Sequence, residues 1–203
     1  IEDTGTNDML KAPEYKCGMI IYDVSDKLSP KETRRIEIEG RYLSSRMIED
    51  SIYLVANKYI YCSGIIKNGI EDVNENDYKL HYRDTSVSQE EKTIDYDEIY
   101  YFDKMESSNY LSMVGINLKS NEEADIQTFL GAGNIVYASE NNMYLAKTNI
   151  EYDENFKIQN SNTEILKFKL NKGKIEFQVE GVVDGIVNNQ FSMDENGEFF
   201  RIA

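Results

Sequence analysis

The strongest constraint on this chain is a hairpin pattern that occurs three times. It reads Ser45-Arg-Met-Ile-Glu49-Asp-Ser-Ile-Tyr53-Leu-Val-Ala56, then Val136-Tyr-Ala-Ser-Glu140-Asn-Asn-Met-Tyr144-Leu-Ala-Lys147, then Phe191-Ser-Met-Asp-Glu195-Asn-Gly-Glu-Phe199-Phe-Arg-Ile202. In each copy a Glu precedes a polar turn pair, and an aromatic follows that Glu by four residues. The predicted turns are Asp50-Ser51, Asn141-Asn142 and Asn196-Gly197. Asn-Gly is the best suited of the three, because a type I′ turn needs positive φ at both central residues. The chain has only two prolines in 203 residues, and its many Ile, Val, Tyr and Thr residues favour strands. A chain that repeats one hairpin is first read as a repeat array.

A second repeated unit lies between the hairpins. Met19–Ser25 precedes Arg34–Gly40, Tyr110–Leu118 precedes Asp125–Gly131, and Glu164–Leu170 precedes Lys174–Gly181. Leu166-Lys-Phe-Lys-Leu170 alternates strictly, as a half-buried strand does. The order is then two strands, hairpin, two strands, hairpin, two strands, hairpin. Four-stranded units at short spacing describe blades of a β-propeller. The chain divides into a half blade at 17–40, a blade at 44–131, a blade at 134–183 and a half blade at 189–203. The expected fold is all-β, a partial β-propeller built as an arc of four-stranded antiparallel blades. Propeller rings need four to eight blades, and these pieces total three, so the sequence reads as an arc of a larger ring. The absence of an initiator Met and the end inside a strand pattern fit that expectation.

The blade at 44–131 is long because of one insertion, at about 58–109. It is acidic and tyrosine-rich, with Asp72-Val-Asn-Glu-Asn-Asp77, Asp95-Tyr-Asp-Glu98 and Tyr100-Tyr-Phe102. It offers little hydrophobic periodicity away from its ends. The expectation is one long inserted loop, a surface flap less ordered than the blades.

The formal net charge is -15, from 37 acidic against 22 basic residues. That surface repels phosphate backbones and anionic headgroups, so the reading is no nucleic acid and no membrane insertion. Two cysteines, Cys17 and Cys62, form neither a metal motif nor a dense disulfide framework. The sequence leaves open whether they pair.

Candidate chemistry is sparse. His81 is the only histidine, which removes multi-histidine metal sites and leaves any histidine-based triad dependent on one loop residue. Asp72, Asn74 and Asn76 begin like an EF-hand calcium loop. Position six is then Asp77 instead of Gly, and position twelve is Arg83 instead of Glu. Glu49, Glu140 and Glu195 are expected at one repeated position, as turn chemistry in preference to a rim of ligands. Tyr53, Tyr144 and Phe199 are expected to pack between neighbouring sheets. Asp194 and Glu195 are adjacent on a strand and point to opposite faces, so they do not form an acid–base pair. No catalytic, cofactor-binding or metal residue is assigned, and no cofactor is expected.

Gly131-Ala-Gly-Asn-Ile-Val-Tyr-Ala-Ser139, Met143-Tyr-Leu-Ala146, Ile165-Leu-Lys-Phe168, Gly185 and Asn189-Gln-Phe-Ser-Met-Asp-Glu195 with Phe200-Arg-Ile-Ala203 form an ordered series. This series resembles secreted bacterial and archaeal proteins with a C-terminal β-propeller distantly related to WD repeats. The resemblance implies a propeller, an extracellular or cell-surface location and no catalytic residues to carry over. The expected function is a non-enzymatic binding or scaffold module for an unknown protein or cell-envelope ligand. The alternatives are a rim-site hydrolase needing further blades and a calcium-stabilised surface adhesin domain. An isolated arc should also expose an apolar sheet face at each end. Self-association, or pairing of Met19–Gly40 with Gln190–Ala203, would cover such faces.

Overall fold

A computed structural model of the chain describes residues 15–60, 78–101, 108–131, 133 and 135–203. These residues contain fifteen strands and two single-turn 3₁₀ segments. The strands run β1 Lys16–Asp23, β2 Lys31–Glu39, β3 Arg41–Ile48, β4 Ser51–Tyr59, β5 Leu80–Asp84, β6 Lys92–Ile94, β7 Ile99–Tyr101 and β8 Asn109–Asn117. They continue as β9 Asp125–Leu130, β10 Ile135–Ala138, β11 Asn142–Tyr152, β12 Ile158–Asn171, β13 Lys174–Asp184, β14 Met193–Asn196 and β15 Phe199–Ile202. They form four sheets. Sheet 1 is β1-β2-β5-β6, sheet 2 is β3-β4-β8-β9-β7, sheet 3 is β10-β11-β12-β13, and sheet 4 is β14-β15.

The sheets stack face to face, and sequence alternation explains how. On β4, Leu54 and Ala56 point into the seam between sheets 1 and 2, while Tyr53 and Val55 point into the seam between sheets 2 and 3. On β11, Met143 and Leu145 enter that second seam, while Tyr144 and Ala146 enter the seam between sheets 3 and 4. A strand with period two can serve both neighbours only if both faces are apolar. Hence β8 reads Tyr-Leu-Ser-Met-Val-Gly-Ile with every residue buried. The tightest contact between sheets 2 and 3 is at Gly115, where a Cβ would sit far inside van der Waals distance of the Gly173 carbonyl oxygen. Gly173 has φ +84, which suits the turn that enters there. Gly115→Ala should destabilise the fold by about 1–3 kcal/mol through overpacking against backbone, read from the urea midpoint.

The topology assigns positions. β2 leads directly to β3, the first strand of the next sheet, as β9 leads to β10 and β13 to β14. β1 and β2 therefore occupy the third and fourth positions of their sheet, counted outward. β5 and β6, from the insertion between β4 and β8, extend sheet 1 on the outside, and β7 adds a parallel strand outside β9. The flap expectation is corrected here: residues 78–101 include three strands. Leu80 and Ile94 are buried in the seam between sheets 1 and 2, and that burial holds these strands down. The remainder of the expected flap, 61–77 and 102–107, lies outside the described residues.

Three further expectations change. The hairpin turns fall on Glu49-Asp50, Glu140-Asn141 and Gly197-Glu198, each one residue from the predicted pair. Among the described residues sheet 1 does not pair with sheet 4. Its outward face is also not an apolar end. Arg35 pairs with Glu32, and Glu37 pairs with Arg83 across β2 and β5. These ion pairs leave Ile20 as an apolar exception on that face, opposite Arg35.

Candidate functional site

Three carboxylates, Asp84 and Glu39 buried and Glu195 half-buried, each gather several donors, and each sits at or beside a boundary between sheets. Asp84 ends β5 and faces sheet 2. Arg34 grips it with two bonds, Nε to Oδ1 at 3.0 Å and Nη2 to Oδ2 at 2.6 Å. The Ala124 N–H of the segment entering β9 donates to the same Oδ2 at 2.9 Å, and Ser86 donates its N–H and hydroxyl to Oδ1. Burial alone would raise this carboxyl, but Arg34 and the backbone donors outweigh it and hold Asp84 below its ordinary value.

Glu39 ends β2. Its Oε2 accepts from Lys58 Nζ at 2.6 Å and from the His81 N–H at 2.9 Å, and it lies 3.1 Å from His81 Nδ1. Burial opposes ionisation here too, and Lys58 with His81 overcomes it. His81 is a residue of strand β5, not of an irregular loop. A histidine oriented by a carboxylate is two parts of a triad. Among the described residues no hydroxyl or thiol is bonded to its other ring nitrogen.

Glu195 lies on β14 and reaches back to sheet 3. It accepts from Tyr144 Oη at 2.6 Å, from Asn142 Nδ2 at 2.7 Å and from the Ser139 hydroxyl, with Lys167 Nζ 3.6 Å away. Burial raises its carboxyl and these donors lower it by more. The Tyr144 phenol is pushed well up, first by burial and then by this carboxylate. Glu49 and Glu140 do not share this position. Both are the first residue of their turns, and Glu49 has φ +51. The shared-position expectation fails because the third turn falls two residues further along.

Tyr53 and Tyr144 are buried between sheets as predicted, and the Gly173 N–H donates to Tyr53 Oη at 3.0 Å. Phe199 departs from that pattern at 74% exposed, and Phe200 instead stacks on Tyr144, with ring centroids 3.9 Å apart. Asp194 pairs with Arg201 across the hairpin, away from Glu195. Cys17 is a free thiol on β1, and burial pushes it up to about 11, so it is not a poised nucleophile. Cys62, Asp72, Asn74, Asn76 and Asp77 lie outside the described residues.

These clusters use their donors on one another. The surface that faces outward with fixed geometry is elsewhere. β10 covers β11 only from Met143 to Ala146, and β13 covers β12 only from Asn162 to Asn171. The ends of β11 and β12 therefore project as a two-stranded ribbon. Its tip is held by Asp153, whose Oδ1 accepts from the Asn155 and Lys157 N–H groups at 2.8 Å each. The Phe156 N–H closes the turn on the Asp153 carbonyl. Phe156 is fixed at φ +58 and is 90% exposed, beside the exposed cross-strand pair Tyr152 and Ile158. Sequence reading passed over this segment. Its signal was an Asp two residues before an Asn in a polar turn, flanked by alternating strands.

Sheets stacked face to face, antiparallel apart from the added strand β7, and each chained to the first strand of the next, define a propeller-type repeat protein. Residues 2–203 match the family model of the beta propeller domain, and the chain belongs to that family. No curated protein and no solved structure matches it. Among the described residues no helix is long and apolar enough to cross a membrane.

Proposed function

We propose that this chain is a non-enzymatic binding or scaffold module that works outside the cytoplasm, on a protein or cell-envelope ligand. The family supports an interaction role. The observation that carries the reading is the ribbon tip. An exposed aromatic in a turn fixed by four hydrogen bonds, the three above and the Asp153 N–H to the Lys157 carbonyl, loses little entropy on binding, and rigid aromatic anchors dominate interface energetics. The acidic surface favours ligands with basic or neutral faces over polyanions.

The test is saturable binding of fractionated envelope components to the immobilised chain, with soluble chain as competitor. A Tyr152→Ala/Phe156→Ala variant with unchanged Tm should compete at least about tenfold less well, the loss expected of an anchor worth more than about 1.4 kcal/mol. A second reading, a rim-site hydrolase, rests on the His81–Glu39 pair. Turnover of simple ester, peptide or glycoside substrates that is lost in Glu39→Gln would displace the binding reading.

A further inference from the structure

The outer edges of the three larger sheets end differently. Sheet 1 ends in β6 and sheet 2 in β7, each three residues long. Both strands come from the insertion, and each lies outside a longer strand. Sheet 3 ends in β13, eleven residues long, which among the described residues pairs only with β12. A long outer strand presents a row of backbone donors and acceptors to any other strand, and natural sheets blunt such edges. Short added strands blunt sheets 1 and 2, whereas sheet 3 keeps a long edge.

The pairing shows which groups that edge presents. The Gly185 N–H, one residue past the end of β13, donates to the Ser161 carbonyl of β12. The Leu170 N–H of β12 turns the other way, to the Asn141 carbonyl just before β11. In a ladder, residues bonded to one neighbour alternate with residues bonded to the other. Val183 and Gly181 therefore bond inward to β12, while Glu180, Val182 and Asp184 turn their N–H and C=O groups outward. At the start of β13 the outward position is already used: the Ile175 N–H donates to Asp125 of sheet 2 at 2.7 Å. A register shift at Lys167/Phe168 separates the two ends. The available edge is thus Glu180 to Asp184.

We propose that this edge takes an extended segment of a partner protein that carries a basic residue two positions to either side of a β-branched one. Glu180, Val182 and Asp184 share one face of the strand. All three are exposed, Val182 at 62%. Neither carboxylate has an ion-pair partner among the described residues. An added strand pairs residue for residue with these three, and directly opposite charges attract while like charges repel. An incoming Lys or Arg meets Glu180, a Val or Ile meets Val182, and a second cation meets Asp184. The same side chains reject another copy of the chain. Two β13 strands pairing antiparallel about Val182 would set Glu180 of each against Asp184 of the other. The carboxylates thus bar edge-to-edge self-association while they select a basic strand. The net charge of -15 draws ligands of the same sign. The edge is separate from the ribbon tip, and neither surface depends on the other.

The test is fluorescence anisotropy with a labelled, capped peptide that has lysine two positions to either side of a central valine and threonine elsewhere. Saturable binding to the chain is expected at moderate salt, which screens unspecific attraction. The same peptide N-methylated at its central valine keeps its charge but loses the donor to the edge, and should bind at least about tenfold less tightly. Val182→Pro removes an outward N–H and no bond to β12, so it should weaken binding to a similar extent with the far-ultraviolet spectrum unchanged. Glu180→Lys/Asp184→Lys should lose the lysine peptide and gain its glutamate counterpart, an exchange that a loss of folding does not produce. Tyr152→Ala/Phe156→Ala should leave the affinity unchanged, which separates this edge from the ribbon. Absence of saturable binding would overturn the proposal. So would equal binding of the N-methylated peptide, a charge-reversed variant that still prefers lysine, or a loss seen only in the ribbon variant.

Discussion

Arg34→Ala should cost about 3–5 kcal/mol of folding stability, because it leaves the Asp84 carboxylate buried without its cation. The two side chains are 9% and 1% exposed, so water cannot take the place of the lost partner. Asp84 also accepts from Ala124 of sheet 2, so the loss should loosen the first seam. The pH dependence follows from the direction of the shift. The folded carboxyl is held below its ordinary value of 3.8. Its contribution is therefore complete above that value and is lost as pH falls through the folded one. The deficit of the variant against wild type, measured by urea unfolding, should be large at pH 7 and should shrink by pH 3. Glu39 and Glu195 are lowered in the same sense and should add to acid destabilisation of both proteins. An equal deficit at both pH values, or one under about 1 kcal/mol, would show that the pair does not work as a buried clamp.

Phe168→Ala should cost about 3–5 kcal/mol, the range for truncating a buried aromatic. Phe168 is fully buried and packs edge-on against Phe129 of sheet 2 at 5.1 Å and Phe177 of β13 at 5.7 Å. Tyr100 of β7 stacks on Phe129 at 5.4 Å. The cavity would open in the middle of the seam between sheets 2 and 3, which holds the largest cluster of buried residues. Phe156→Ala is the natural comparison and should change stability by no more than about 0.5 kcal/mol. Similar losses for the two variants would mean that the ribbon tip is packed and not free.

Much of the core was legible because its signals are local. The run from Tyr110 to Ile116 shows a strand buried on both faces, and Leu166 to Leu170 shows one with a single apolar face. Recurrence in the repeated hairpin picked out Tyr53 and Tyr144. It failed at Phe199 for a physical reason: the third hairpin turns at Gly197-Glu198, so the residue four after its Glu begins a strand whose far face has no neighbour among the described residues. Whether a position is buried depends on the next sheet, and no property of Phe199 itself reports that.

The candidate sites were less legible still. Arg34 and Asp84 are 50 residues apart, Glu39 and His81 are 42 apart, and each pair meets only because β5 lies beside β2. The insertion gave no periodicity strong enough to announce β5 and β6, which are short and mostly polar apart from Leu80 and Ile94. Their place is set by those two apolar side chains and by the ion pairs on either face.

The sequence by itself determined that the chain is all-β, where its long strands run and which of their residues face inward, since these follow from side-chain alternation along a single strand. Only the tertiary structure decided the partner of each inserted strand, the turn register and what each buried carboxylate touches. Pairing joins distant residues, and a one-residue slip exchanges the faces of a strand. The neighbouring sheets alone select between those outcomes, because only they show which face there is apolar surface to cover.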